Sequence, residues 1–336
     1  SVALGDGQTW FHDRASSRGN AGISINARSE NNADYDSLSD ALMSTFYHEL
    51  FHSLQRNLNL HLGGDGRVDG EGSRWTFYSE GTAVLASSVW QPRVQLGPSS
   101  QTRAYVSYAN RHLLGGGERF QDLVVNYDQG EPYSAAVYWR FLFEQCGGMR
   151  EGVHDRAAGM EIVRRALIAL YSGEIVDIAL PVDARSPADL VSATPRILAQ
   201  ALAGSSCPFQ TYKESLIAFS RAIYGLRIEG GRCTEPGTPA GCGLYDPHDV
   251  YSDPPVRTIT FAGAALEHRY KAANGFGTHL IDVVLAPAAE GQPLTLEFYP
   301  SAGGAAELDV QVLQLVDVGE GSGPQVALAQ GVAMVH

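Results

Sequence analysis

The segment from residue 47 to residue 55 reads YHELFHSLQ and places His48 and His52 four positions apart, with Glu49 between them. On a helix, residues four apart lie on one face, so both imidazoles can bind one metal ion. Glu49 lies about 100° further round the same helix. There its carboxylate can take a proton from a water activated by the metal without itself becoming a ligand. The spacing therefore predicts metal-dependent hydrolysis with Glu49 as general base.

A long helix is predicted to carry this motif. Residues 38–54 contain neither Gly nor Pro, and Ser37 with Asp40 resembles a capping box at the start. Apolar residues cover most of its circumference, which predicts a buried helix. Two histidines and a glutamate are costly in such a helix unless they are paired, and a divalent metal would pair them. The alternative is two buried histidines satisfied by neighbouring side chains.

A second segment offers a third metal ligand, Glu80. Residues 75–89 predict a helix rich in apolar and small side chains, in which Glu80 is the one carboxylate. A buried carboxylate needs a cation, and Gly81 and Ala83 are small enough to let this helix approach the first one closely. A Gly-rich loop nearer to His52 is less suitable, because it holds ligands less precisely than a helix does. Its candidate ligands are His61, Asp65, Asp69 and Glu71.

The segment HELFHSLQ, followed by W-x-x-x-x-E-G-T-A, resembles the gluzincin zinc metallopeptidases, the thermolysin-like clan, and in particular their bacterial extracellular members. The resemblance covers roughly residues 37–90. It implies Zn²⁺ held by His48, His52 and Glu80, with Glu49 as general base and a peptide or protein as substrate. The metallopeptidases called metzincins are less similar, since they need further Gly and His residues at positions that Gln55 and Leu58 occupy here.

The chain departs from thermolysin at Val84, where that enzyme has an Asp that orients a ligand histidine. The group that orients the histidine must therefore come from elsewhere in the chain. Residues 133–143 predict a helix that, in related peptidases, packs beneath the active site. Tyr133 near its start is the candidate for stabilising the oxyanion. Tyr138 and His112 are alternatives, and packing is the commoner role of such side chains.

Composition narrows the choice of partner and compartment. The chain has 336 residues, 44% of them hydrophobic and 18% charged, with a net charge of −13. That charge argues against nucleic acid or an anionic membrane as partner, because both require basic patches. No apolar run reaches the length of a membrane span. We interpret the sequence as a processed or partly observed piece of a longer secreted precursor.

The four cysteines, Cys146, Cys207, Cys233 and Cys242, contain no C-x-x-C pair that would predict a cysteine zinc site. Cys233 and Cys242 flank a Pro/Gly-rich loop and form the local pair, which leaves Cys146 with Cys207 by elimination. Two disulfides would predict an oxidising compartment, and therefore a secreted or cell-surface protein. The alternative is four free thiols in a cytosolic protein.

The predicted fold class is α+β, with a zincin-like, mostly helical catalytic domain at 1–250 and an all-β sandwich domain, probably incomplete, at 256–336. Helical periodicity at 157–172, 187–203 and 209–224 predicts helices, and the resemblance implies that they form the second lobe with which such peptidases close the cleft. Beyond residue 256 the period is two, with turn signals at regular spacing. The sandwich is expected to bind a surface or a partner protein. A strand at 22–27 is predicted beside the motif helix, either as an ordinary edge strand or as one that pairs with substrate.

The function predicted from the sequence is that of a secreted zinc endopeptidase. A catalytically inactive protein that keeps the peptidase fold for binding or structure at the cell surface is the alternative from another class. The intact Glu49 argues against it, because an inactive site has no need of the base. A zinc hydrolase acting on a substrate other than peptide has the same ligands, so the motif does not exclude it.

Overall fold

A computed structural model of the protein describes residues 7–11, 21–25, 38–63, 76–90, 103–114, 131–150, 153–175, 187–227, 244–246, 249–262, 281–285, 297–298, 313–316, 325–328 and 334–335. Most of these residues are helical. The described helices are α1 (Leu38–His61), α2 (Thr76–Trp90), α3 (Arg103–Leu114), α4 (Glu131–Ser134), α5 (Ala136–Phe143), α6 (Arg156–Tyr171), α7 (Pro187–Leu202) and α8 (Tyr212–Gly225). A π-helical turn, Glu144–Gly148, follows α5.

The helices predicted from periodicity are confirmed, and their boundaries follow the local signals. Helix α1 ends at His61, before Gly63, whose φ of +89° suits glycine. Asp155 caps α6 by accepting a hydrogen bond from the backbone N–H of Ala158 at 2.9 Å. Thr211 and Glu214 form a capping box at the start of α8. The capping box predicted at Ser37 lies outside the described residues.

Helix α2 lies at the centre of the core. All of its residues from Thr76 to Val89 are buried, and it packs against α1, α4 and α5. The prediction that α1 is buried on nearly all sides is wrong, because Phe46 and Leu54 are 38% and 47% exposed. Helix α1 therefore buries one face, which includes Phe51 and His52, against α2.

A disulfide joins Cys146, in the π-helical turn, to Cys207, just before α8. The two cysteines are 61 residues apart in sequence, so the bridge closes a loop that contains α6 and α7. This is the pairing expected by elimination. Cys233 and Cys242 lie outside the described residues, so their predicted bond stays a prediction.

The strands form pairs rather than layers. They are β1 (Gly7–Phe11), β2 (Ala21–Ile25), β3 (Met149–Arg150), β4 (Val153–His154), β5 (Arg257–Phe261), β6 (Ile281–Leu285), β7 (Glu297–Phe298), β8 (Leu313–Val316), β9 (Gln325–Leu328) and β10 (Met334–Val335). Strands β5 and β6 pair in parallel, as do β7 and β10, whereas β8 and β9 are antiparallel. Each described sheet has two strands.

The predicted fold class, a zincin-like helical domain followed by an all-β sandwich, is therefore wrong. The described residues are mostly helical, and within them no two sheets pack into a sandwich. Alternation of apolar and polar residues predicts an extended segment with two unlike faces, but it does not predict which strand is its partner. The long connection between Phe261 and Ile281 permits a parallel crossover, whereas a sandwich of this kind needs antiparallel neighbours.

Contacts tie one strand pair to the helices. Asp282 on β6 accepts a hydrogen bond from the hydroxyl of Tyr224, near the end of α8, at 2.6 Å. It also forms an ion pair with Arg227, just after α8, at 3.1 Å. The strand predicted at 22–27 is β2, which pairs with β1, and both strands contact α1. The division into domains at residues 250–256 stays a prediction. None of the described helices has the length and apolar character needed to cross a bilayer.

Candidate metal centre

The structure brings the three predicted ligands, His48, His52 and Glu80, together. The Nε2 atom of His48 lies 3.0 Å from Glu80 Oε2 and 3.0 Å from the Nε2 atom of His52. His52 Nε2 lies 3.4 Å from the same carboxylate oxygen. Across the described ranges, these are the only three His, Cys, Asp or Glu side chains grouped closely enough to hold a metal ion. The possible metal site predicted from the sequence is therefore present.

The spacing of these atoms fits a metal ion. A tetrahedral ion with bonds of about 2.0–2.1 Å separates its ligand atoms by about 3.3 Å, close to the 3.0–3.4 Å found here. Two imidazole nitrogens and a carboxylate oxygen at such distances need a cation among them, either a proton on one ring or a metal. Two His and one Glu leave one position of a tetrahedral ion for water or substrate.

The charge and exposure of the triad also suit a metal. Burial alone would raise the pKa of Glu80, but the neighbouring charge of His52 and hydrogen bonds from His48 and His52 hold that pKa well below its usual range. The carboxylate is therefore ionised at neutral pH, as a ligand must be. The side chains of His48 and Glu80 are 16% and 11% exposed and that of His52 is 3% exposed, so solvent reaches the site from the side of His48 and Glu80.

The packing of α1 on α2 places Glu80 opposite the two histidines, but Gly81 has a different part in this packing from the one predicted. Gly81 does not face α1. A Cβ at Gly81 would lie 2.9 Å from Cδ1 of Trp139 and 3.0 Å from Cβ of Ala135. The indole of Trp139 is buried, and its N–H donates to the carbonyl of Phe77 at 2.8 Å. Gly81 therefore allows close approach of the Trp139 ring and the start of α5 to α2.

Gln55 is a buried residue of the site whose role was missed in the sequence. Its side-chain Oε1 lies 2.8 Å from Nδ1 of His52, and its Nε2 donates to the carbonyl of Ser79 at 3.0 Å and to the hydroxyl of Thr82 at 2.9 Å. The available signal was the spacing, because a Gln three residues after a ligand histidine shares its helix face. Val84, where thermolysin has its orienting Asp, is an apolar core residue here.

Glu49 is buried at 7% exposure and is not one of the clustered ligand atoms. It therefore stays the candidate base rather than a ligand. His61 is exposed and lies nine residues after His52 on the same helix, about 13 Å further along its axis at about 1.5 Å per residue. That distance excludes it from this cluster. Asp65, Asp69 and Glu71 lie outside the described residues.

Of the three residues considered for stabilising the oxyanion, Tyr133 is the one that lies beside the triad. Its ring stacks on His48, with centroids 6.2 Å apart and planes 18° apart, and on Tyr108 at 5.2 Å. The two alternatives, Tyr138 and His112, contact other side chains in the core. Tyr138 shares a hydrogen bond of 2.7 Å with Ser215, and buried His112 stacks on Phe219. Tyr108 and His112 both lie on α3, a helix that was not predicted.

Comparisons with known proteins do not assign a family. No protein-family model matches the chain, and neither a curated protein nor a solved structure matches it significantly. The candidate function is therefore argued from the site itself.

Proposed function

We propose that this protein is a secreted zinc-dependent endopeptidase of the gluzincin type. The observation that carries the proposal is the cluster of His48, His52 and Glu80, whose ligand atoms lie 3.0–3.4 Å apart on two packed helices. Two imidazoles and one carboxylate are a donor set that catalytic zinc uses. The adjacent Glu49 distinguishes a catalytic site from a purely structural one, because a structural site needs no base.

His48, His52 and Glu80 would hold the zinc. The ion supplies Lewis acidity that polarises the scissile carbonyl and the attacking water. Glu49 accepts the proton of that water as the new C–O bond forms, and then gives it to the leaving amine as the C–N bond breaks. Tyr133, whose ring stacks beside His48, would donate a hydrogen bond to the developing oxyanion.

Two further observations support the proposed substrate and location. The side chains of His48 and Glu80 are partly exposed, so a substrate can reach the triad from solvent. The bridge between Cys146 and Cys207 is of a kind that persists in oxidising surroundings, which supports an extracellular protein. The side chain preferred next to the cleaved bond depends on the shape of the cleft.

Metal analysis combined with peptide cleavage tests the proposal. The purified protein should contain about one zinc per chain and should cleave a mixed library of unstructured peptides until a chelator removes the metal. Glu49→Gln should keep the zinc and lose cleavage, because only the proton acceptor is removed. Glu80→Ala should lose most of the zinc and all cleavage, whereas His61→Ala, at an exposed position on the same helix, should lose neither.

Each other outcome would overturn part of the proposal. Zinc binding without cleavage of any peptide would favour the inactive binding protein. Turnover of non-peptide esters or amides alone would favour another zinc hydrolase. Near-native turnover by Glu49→Gln would show that Glu49 is not the base, and a protein that takes up no zinc would refute the metal site altogether.

A further inference from the structure

We infer that Gln55 is a positioning residue: it holds His52 in the tautomer that can bind a metal, and it ties the two ligand helices together. The inference rests on the proposed metal site. It identifies the group that replaces the carboxylate absent at Val84. The argument starts from the direction in which the Gln55 amide points.

Two acceptors fix the orientation of this amide. The backbone carbonyl of Ser79 can only accept a hydrogen bond, so the group 3.0 Å from it must be the Gln55 NH₂. The Thr82 hydroxyl donates its hydrogen to the carbonyl of Tyr78, so it presents a lone pair to the same NH₂ at 2.9 Å. The Gln55 oxygen is therefore the atom that faces His52.

The oxygen in turn fixes the tautomer of His52. An amide oxygen can only accept, so Nδ1 of His52, 2.8 Å away, must carry a hydrogen. In the neutral form of His52, the form that binds a metal, the other nitrogen, Nε2, then carries no hydrogen and presents its lone pair. Nε2 is the atom lying 3.0 Å from His48 Nε2 and 3.4 Å from Glu80 Oε2. Gln55 thus makes Nε2, and not Nδ1, the nitrogen that a metal can use.

The same side chain also positions Glu80. Its two acceptors, Ser79 and Thr82, lie immediately before and two residues after Glu80 on α2. Gln55 is 1% exposed, so no water is available to replace these hydrogen bonds, and an unpaired amide there would be costly. One amide therefore sets the tautomer of a ligand on α1 and the location of a ligand on α2. Because it is neutral, it does so without adding a second negative charge to the site.

The first test measures the tautomer in the metal-free protein. In long-range ¹H–¹⁵N spectra at pH 8, wild-type His52, assigned with a His52→Asn variant, should show the hydrogen on Nδ1. Gln55→Glu keeps the acceptor and should keep that tautomer, whereas Gln55→Leu removes it and should give a mixture. A wild-type His52 with its hydrogen on Nε2 would overturn the inference without the need for any variant.

The second test measures zinc affinity by competition with a chelating dye. Gln55→Leu should weaken binding by about 10–100-fold, as loss of a group that orients a ligand does. Gln200→Leu, an exposed glutamine on α7, is the matched control and should bind zinc as the wild type does. A Gln55→Leu protein that folds and keeps both the tautomer and the affinity within twofold would refute the inference. A wild-type protein that binds no zinc would refute the proposed function instead, while the tautomer measurement would still decide the role of Gln55.

Discussion

The indole of Trp139 lies against Gly81, the residue that follows the ligand Glu80, so closely that no side chain fits between them. Gly81→Ala would place a Cβ 2.9 Å from a buried ring that is hydrogen-bonded to Phe77 on the same helix, so α2 and the ring must move apart. We expect a loss of about 1–3 kcal/mol of stability from overpacking. Because Glu80 moves with α2, zinc affinity should fall as well.

Urea unfolding and zinc competition measure these two effects of Gly81→Ala. Ser87→Ala is the control, because Ser87 lies near the other end of α2 and donates a hydrogen bond to the carbonyl of Val84 on the same helix. It should leave zinc affinity unchanged. Equal zinc affinity in wild type and Gly81→Ala would show that the contact with Trp139 does not position the ligand.

Removing the hydroxyl of Tyr133 should slow catalysis without affecting the metal. Tyr133→Phe keeps the ring that stacks on His48, so zinc affinity and KM should change little. If the hydroxyl stabilises the oxyanion, kcat should fall by about 10²–10³-fold, as it does when such a donor is lost. Tyr138→Phe loses a hydroxyl bonded to Ser215 in the core and should keep its kcat. A similar small change in both variants would eliminate Tyr133 as the donor.

A buried ion pair joins α5 to the start of the π-helical turn. Arg140 and Glu144 are both buried, and Glu144 also accepts a hydrogen bond from the backbone N–H of Tyr245 at 3.0 Å. Arg140→Met should cost about 3–5 kcal/mol, because it leaves a buried carboxylate without its partner. The double variant Arg140→Met/Glu144→Met should recover much of that loss in urea unfolding. A double variant no more stable than Arg140→Met would contradict this account.

His112 should make the native state sensitive to acid. Burial lowers its pKa to about 4 from the ordinary 6.5, so between these values the unfolded chain binds a proton that the native state does not. Stability is then retained above pH 6.5 and is lost as the pH falls towards 4. The loss from this residue between pH 7 and pH 5 should be about 2 kcal/mol.

Urea unfolding at the two pH values isolates the contribution of His112. His112→Leu removes the titrating ring, so the difference in stability between pH 7 and pH 5 should shrink by about 2 kcal/mol. His61→Leu, which replaces an exposed histidine, should leave the difference as it is in the wild type. An unchanged pH dependence in His112→Leu would show that this ring does not cause the sensitivity.

The triad of His48, His52 and Glu80 could be predicted because each of its residues is marked by a local pattern in the sequence. The spacing of His48 and His52 is set by the helix itself, and Glu80 was recognisable as a lone carboxylate in an apolar helix. The role of Gln55 was not predicted, because it depends on how α1 and α2 pack, and the sequence shows only that a Gln shares the face of His52. The packing partner of Gly81 was predicted wrongly for the same reason: it is Trp139 and not α1.

Features that depend on contacts between distant parts of the sequence were predicted less well. No helix was predicted where α3 lies, because a segment with two Pro residues (91–102) precedes it and Gly115-Gly116-Gly117 follows it. Its apolar residues, such as Tyr105 and Leu113, pack against the rest of the core. The sandwich was predicted from alternation, which does not determine strand partners. The actual partners of β5 and β7 pair with them in parallel, across long stretches of sequence.

The bridge between Cys146 and Cys207 changes what happens when the backbone is cut. A single nick anywhere in the loop it closes leaves two fragments that remain covalently joined. His48, His52 and Glu80 all precede that loop, so a nicked molecule keeps its metal cluster on one unbroken fragment, with α8 still attached through sulfur. A cut within this loop separates α8 from the metal-binding triad only if the bridge is also reduced. The bridge therefore keeps a chain that is cut in this loop in one covalent piece.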